Sequence, residues 1–256
     1  MSNQNISVVI TAYNEEKNIK EAIESAFLLT DSVILIDTES TDKTRKIAQT
    51  LGCRVISYPY TIYVEPVRQF SIKKASSEWV FILDADERIT KDLADEILRN
   101  IKNAQHSHFK VKRKNIFAKK KWLKYGGWYP DYIIRLINTK LFKDWPSQIH
   151  STPLVDGKLG HLNNSLIHLF HPSLENMVSK TLLFESIESQ MLYEAHRKTG
   201  IGTFFRKFVG EFYRRMLKNL GFFDGIYGII ESLYQSYSKT ITYIMLYERY
   251  KKSSTI

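Results

Sequence analysis

The chain has 256 residues, 43% of them hydrophobic and 25% charged, with only 11 Gly and 6 Pro. This suits one α/β domain, alone or with a helical appendage, and excludes disordered, collagenous and low-complexity proteins. A single cysteine, Cys53, excludes an internal disulfide framework and a cysteine-rich zinc site. The excess of 37 Lys and Arg over 27 Asp and Glu, a net +10, implies an acidic partner: nucleic acid, anionic lipid or a phosphorylated substrate.

In chain order, ISVVI at 6–10 reads as a strand buried on both faces. Ile19, Ala22, Ile23, Ala26 and Phe27 then recur at helical spacing, with Asn14 or Thr11 as the expected N-cap. SVILID at 32–37 is a second strand, followed by a polar loop and a helix ending at Gly52. CRVISY at 53–58 is a third strand, where Cys53 is expected to be inert core. A helix around 65–76 and a fourth strand, WVFILDAD at 79–86, follow. The alternation predicts a doubly wound, mostly parallel sheet. Ligands bind such sheets at the carboxyl ends of the strands, here Thr11 and Tyr13, Asp37, and Asp84 with Asp86. Residues 108–170, with short strands, Gly-Gly, Pro and Trp, read as the acceptor-side half of the same domain, and about 173–250 as helical.

Asp84-Ala85-Asp86 closes the most apolar strand. On an extended chain the two carboxylates share a face, and carboxylates at a buried strand end call for a cation. Mg²⁺ or Mn²⁺, which combine carboxylate oxygens with substrate phosphates, answer that need.

VVITAYNEEKNI, VILIDTESTDKT and VRQFSIKKASSEWVFILDADE, in this order, resemble family 2 glycosyltransferases of the GT-A fold over about residues 1–100. Gln69 stands where that family usually has Asn. GGWYPDYIIRL, QIHSTPLVDG, LIHLF and GFFDGIYG are similar to the lipopolysaccharide-core glucosyltransferase branch, with Ser151 where Glu is usual. The resemblance implies a GT-A catalytic domain over 1–172, divided into a nucleotide-sugar half at 1–100 and an acceptor half at 101–172. A helical region at 173–256 would serve membrane association or oligomerisation.

The resemblance also implies a nucleotide-sugar donor, UDP-linked, and sugar transfer with inversion. Thr11, Ala12, Tyr13 and Glu15 would line the nucleotide pocket, and Asp37 would meet the base. Arg68 would reach the base or diphosphate, and Asp84 with Ala85 the ribose or metal waters. The metal would rest on Asp86, with Asp84 and His168. Inverting transfer needs a general base beside the acceptor hydroxyl. Asp131, in the aromatic, Gly-rich loop before YIIRLI, is the candidate, with Arg135 expected to pair with it or with a phosphate. His150 is read as an acceptor-site residue, and His106 and His108 as surface residues.

KVKRKNIFAKKKWLKY interleaves basic residues with Phe117, Trp122 and Tyr125. It reads as a solvated loop, or as a site for an anionic acceptor or phospholipid; nucleic acid ranks last because no nucleic-acid-binding fold is recognisable. In 201–220, Ile201, Phe204, Phe205, Phe208, Phe212, Met216 and Leu220 fall at helical spacing, with Arg206, Lys207, Arg214, Arg215 and Lys218 around them. A second helix at about 225–250 carries Ile226, Ile230, Leu233, Tyr237, Ile241 and Ile244. Basic, Phe-rich amphipathic helices lie on anionic membranes; packing on the catalytic domain or on a second copy is the alternative. No signal peptide and no run of 18 apolar residues is visible, so a cytoplasmic protein, peripheral on the inner face of the cytoplasmic membrane, is expected. The acceptor would then be a cell-envelope glycan or a lipid-linked saccharide. Two rival readings are a sugar nucleotidyltransferase, whose Gly-rich phosphate loop is missing from TAYNEEKN, and a non-catalytic basic module on the same fold.

Overall fold

The computed structural model describes residues 5–103, 105–171 and 173–253. It divides into two compact units, 1–113 with 131–168, and 114–130 with 169–256. Each is described separately below. The sequence placed a single boundary at 172, whereas 114–130 groups with the helical tail.

In the first unit the elements are β1 (Ile6–Ala12), α1 (Ile19–Ala26), β2 (Val33–Asp37), α2 (Thr44–Thr50), β3 (Arg54–Ser57), α3 (Glu65–Lys74) and β4 (Trp79–Asp84). Next come β5 (Glu87–Arg88), α4 (Lys91–Lys102) and β6 (His108–Phe117), whose last residues belong to the second unit. After β7 (Lys121–Trp122), the chain returns with β8 (Asp131–Asn138), β9 (Phe142–Asp144), β10 (Leu154–Val155) and β11 (Leu159–Phe170). The main sheet runs β3-β2-β1-β4-β8-β6-β11-β5. Strands β3, β2, β1 and β4 are parallel, and β8 adds antiparallel to β4. This is the α/β architecture that the strand pattern anticipates, with a parallel half extended by antiparallel strands.

Strand alternation sorts the core. Ile6, Val8 and Ile10 of β1, with Trp79, Phe81 and Leu83 of β4, face α1 and α4. Val9, Val80 and Ile82 face Val67 and Ile72 of α3. Both faces of β1 and β4 are therefore buried, which is why these strands read as unbroken apolar runs. By the same alternation Thr11 and Asp84 project on the α3 side, while Ala12 and Asp37 project on the other. Helix α4 starts at Thr90, whose side chain accepts from the Leu93 N–H at 3.3 Å, a standard N-cap. Its buried Glu96 accepts the N–H groups of Asn163 and Asn164 at 2.7 and 2.8 Å.

Three local expectations change. Helix α1 begins at Ile19 with Asn18 at the N-cap position, not Asn14 or Thr11. Asn14 instead lies in the left-handed region (φ 52°), and its Oδ1 accepts the Thr41 and Asp42 N–H groups. His108 is buried rather than on the surface, its Nδ1 2.8 Å from Ser107 Oγ, and burial lowers its pKa.

The second unit contains α5 (Leu174–Glu194), α6 (Ile201–Phe212), a π-helical turn (Tyr213–Lys218), a 3-10 turn (Gly221–Asp224) and α7 (Ile226–Ser253). Phe117, Leu123, Phe170 and Met177 form its buried apolar cluster. Trp122 lies between the ammonium groups of Lys114 and Lys124, 5.0 and 4.6 Å from its ring centre. Part of the basic–aromatic segment is thus ordinary packing. Buried Asp224 accepts the N–H groups of Lys124 and Tyr125 at 2.9 and 2.8 Å. A Cβ on Gly228 would lie 2.0 Å from the Gly221 carbonyl oxygen. The GFFDGIYG motif is therefore a close crossing of the 3-10 turn with α7.

Candidate active site

Parallel register brings the strand ends together: Thr11 stands opposite Asp84, and Ala12 opposite Asp37. Two loops at this rim are tied to each other. The Asn14, Glu15 and Glu16 N–H groups donate to Ser40 Oγ, Thr44 Oγ1 and Asp42 Oδ2 at 2.9, 2.8 and 3.0 Å. The Ala12 carbonyl accepts the Thr38 N–H at 3.0 Å. Tyr13 is exposed, its ring 4.5 Å from that of Tyr60.

Asp37 is fully buried; its Oδ2 accepts from the Ser40 N–H at 3.2 Å and from Arg45 at 3.3 Å. Its Oδ1 has no partner, and neither has Thr11 Oγ1 or Nη1 of buried Arg68. Buried polar atoms are almost always satisfied in native proteins, and each exception asks for an explanation. Thr11 Oγ1 and Arg68 Nη1 lie on the α3 side of the sheet, and Asp37 Oδ1 on the other.

Asp84 is the centre of an ionic chain. Arg68 Nη2 donates to its Oδ1 at 2.6 Å, and Arg135 Nη2 donates to its Oδ2. Arg135 also reaches Glu87 Oε1 at 2.7 Å, and Glu87 Oε2 accepts the Asp84 N–H at 3.1 Å. Arg113 approaches Glu87 at 3.6 Å and donates Nε and Nη2 to Asp131 Oδ2 at 2.8 and 2.7 Å. Burial by itself would push the Asp84 carboxyl up, but Arg135 and Arg68 outweigh it and hold the group far below the usual carboxylate range. Burial disfavours the Arg135 charge, and Asp84 and Glu87 more than restore it.

Asp84 and Asp86 are not neighbours on one face of an extended strand. Strand β4 stops at Asp84, and Ala85 and Asp86 form a turn into β5. The Ala85 carbonyl accepts from Arg88 at 2.8 Å. Asp86 instead meets β11, where His168 stands opposite Glu87 and its Nε2 lies 3.6 Å from Asp86 Oδ2. Among the described residues, no group of three or more His, Cys, Asp or Glu is arranged to hold a metal ion. The pair Asp86 and His168 still fits a divalent ion, because its oxygen and imidazole donors suit one that fills its shell from phosphate and water.

Asp131 opens β8, and its partner is Arg113, directly opposite on β6, rather than Arg135. Four residues along a strand span about 13 Å, too far for Asp131 and Arg135 to meet. His150 is exposed and in the left-handed region (φ 61°), and its N–H donates to Glu65 Oε1 at 2.8 Å. Glu15 accepts from Asn18 Nδ2 at 2.7 Å. Gln69, in place of the usual Asn, donates to Asp144 Oδ1 at 2.6 Å. Ser151 Oγ donates to the Pro146 carbonyl at 2.5 Å. Sequence reasoning missed Glu87 and Arg113 as members of the network. The available signals were an acid immediately after Asp84-Ala85-Asp86 and an arginine inside a basic strand.

The model for "Glycosyl transferase family 2" matches residues 7–155, more than half of the chain. An uncharacterised glycosyltransferase of Rickettsia typhi is 29% identical, over 98% of this chain and 89% of that protein. The lipopolysaccharide core biosynthesis glycosyltransferase LpsC of Rhizobium meliloti is 22% identical, over 96% and 93%. Among solved structures, glucosyl-3-phosphoglycerate synthase from Mycobacterium tuberculosis, in complex with Mn²⁺ and UDP-glucose, aligns with TM-score 0.47 and 18% identity, over 74% of this chain and 78% of that one. With a family match that spans the strand ends, the ionic chain and Asp131, the chain belongs to glycosyltransferase family 2.

Proposed function

We propose that the protein transfers a hexose, with inversion, from a uridine-diphosphate donor to a saccharide of the cell envelope or to a lipid-linked precursor. The observation that carries the donor half is the set of unpartnered buried atoms at the strand ends: Thr11 Oγ1, Asp37 Oδ1 and Arg68 Nη1. Asp37 Oδ1 is an acceptor suited to a base N–H, and Arg68 Nη1 a donor suited to a diphosphate oxygen. Tyr13 and Tyr60 offer exposed rings beside them. Asp86 and His168 would hold Mn²⁺ or Mg²⁺, which when bound offsets charge on the leaving diphosphate. Asp84, engaged by two guanidinium groups, would position Arg68 rather than ligate the ion.

For the acceptor half, Asp131 is the proposed general base, oriented by Arg113, with His150 on the acceptor side. The acceptor class follows the GGWYPDYIIRL resemblance and the basic charge of the chain. Titration calorimetry with UDP, CDP and GDP in the presence of Mn²⁺ tests the donor assignment. UDP should bind best, and Asp37→Ala should weaken it tenfold or more. Equal affinity for all three nucleotides, or an Asp37→Ala variant that binds as the wild type does, refutes it.

A further inference from the structure

Beside its apolar cluster, the second unit buries polar side chains and exposes apolar ones. Along α7, Glu231, Ser232, Ser236 and Thr242 are buried, whereas Ile226, Leu233 and Tyr237 are exposed. The buried seam against α5 is made by polar contacts: Glu185 accepts from Ser238 and Thr242, and Lys239 bonds Glu188 at 2.6 Å. Of the apolar stripe that the sequence suggested for α7, Ile226, Leu233 and Tyr237 turn outward, while Ile230 packs against the cluster that contains Met177 of α5.

Helix α6 also turns apolar residues outward. Its inner side is engaged by α7, with Phe204 edge-on to Tyr247 and the Lys207 ammonium over Tyr243. Its outer side steps every four residues through Ile201, Phe205 and Val209, which are 73, 70 and 60% exposed. The π-helical turn keeps Tyr213 and Leu217 outward, and Phe222 and Phe223 follow in the 3-10 turn with ring centres 4.5 Å apart. Exposed Arg206, Arg214 and Lys218 lie along the same stretch. Its acid, Glu211, is already held by Arg214 and Arg215.

We propose that this face, from α6 through the 3-10 turn, docks the protein on an anionic lipid bilayer. Aromatic and aliphatic side chains turned outward in a row suit a helix whose outer medium is apolar, and the flanking cations suit acidic headgroups. A second copy related by two-fold symmetry would set the same cations against one another, a like-charge arrangement that lipid phosphates avoid. No described helix is long and apolar enough to cross a membrane, so the attachment is interfacial. The proposal deepens the reading of a membrane-borne acceptor, but the binding itself needs neither donor nor metal.

The test is co-sedimentation of the full chain with phosphatidylcholine vesicles, with and without phosphatidylglycerol as about one-third of the lipid. Binding should be at least tenfold stronger to the anionic vesicles and should fall in roughly 0.5 M salt, where the charge attraction is screened. Phe205→Ser with Phe223→Ser, both at exposed positions, should reduce it tenfold or more while UDP affinity and circular dichroism stay unchanged. Because UDP binding is read separately, a failure of the donor assignment leaves the vesicle result interpretable. The proposal is overturned if anionic and neutral vesicles bind alike, or if the double variant binds as the wild type does. It is equally overturned if sedimentation velocity shows a dimer that the double variant dissolves.

Discussion

Replacing Arg135 by Met tests the ionic chain at its most connected point. Arg135 is 5% exposed and donates to both Asp84 and Glu87. Met keeps much of the apolar stem, so the cavity contribution is small. The lost charge leaves Asp84 with Arg68 as its one guanidinium, and leaves fully buried Glu87 with the Asp84 N–H and the 3.6 Å approach of Arg113. Removing one partner of a buried pair costs about 3–5 kcal/mol. With a urea dependence of about 1–3 kcal/mol per molar, the unfolding midpoint should fall by about 1–5 M.

The pH dependence gives the experiment a second readout. Asp84 in the folded wild type is held well below its ordinary 3.8. Its stabilisation is therefore fully present above the unfolded value and is lost only as pH falls through the depressed folded value. Without Arg135 the carboxyl is less depressed, so the variant loses less on acidification. Urea titrations at pH 7 and at about pH 2, below the unfolded value of 3.8, should show the deficit largest at neutral pH and smaller in acid. A midpoint shift below about 0.3 M, or a deficit identical at both pH values, refutes the assignment of Arg135 as the clamp on Asp84 and Glu87.

Two further outcomes are expected. Asp131→Asn should lower kcat by about 10²–10⁴-fold while UDP affinity, measured by calorimetry, stays unchanged; an unchanged kcat would make Asp131 a structural partner of Arg113. Glu231 is buried, which pushes its carboxyl up to about 7 against the smaller opposing effects of Gln235 and Arg215. A raised acid destabilises the fold as pH climbs from the unfolded value of 4.5 through 7, so Glu231→Gln should gain stability above pH 7, on the order of 3 kcal/mol, and little at pH 4. Thermal melts across that range check it.

The parallel half of the sheet was legible because β1, β2 and β4 are buried on both faces and carry little but apolar residues. The strand-end residues were legible for the complementary reason: Thr11, Asp37 and Asp84 are where polarity interrupts those runs. What pairs with them was not. Arg113 meets Asp131 only through the β6–β8 register, and Arg135 meets Asp84 across β4 and β8, contacts that no local spacing encodes. Reading Asp84-Ala85-Asp86 as one extended face failed because the strand ends two residues earlier than expected, at Asp84. The tail was legible as helices but not as to which side is buried. The seam of α7 includes Ser232, Ser236, Ser238 and Thr242, which leave no trace in a hydrophobic pattern, while Ile226, Leu233 and Tyr237 turn outward.

The charges along the ionic chain lead to the last expectation. Arg68, Arg135 and Arg113 alternate with Asp84, Glu87 and Asp131, so the series carries no net charge. A diphosphate arriving at the strand ends would meet arginines already compensated, with Arg68 Nη1 still unpartnered there. The balance of its charge would have to come from an ion at Asp86 and His168, which stand outside the series. Nucleotide and metal should then strengthen each other's binding by the same factor, as linkage requires. In calorimetry, UDP affinity should rise at least tenfold on adding Mn²⁺, and Mn²⁺ affinity should rise equally on adding UDP. Asp86→Ala and His168→Ala should each abolish that gain while leaving the metal-free UDP affinity near its wild-type value. If UDP binds as tightly in EDTA as in Mn²⁺, the diphosphate is neutralised by side chains alone, and Asp86 and His168 are not metal ligands.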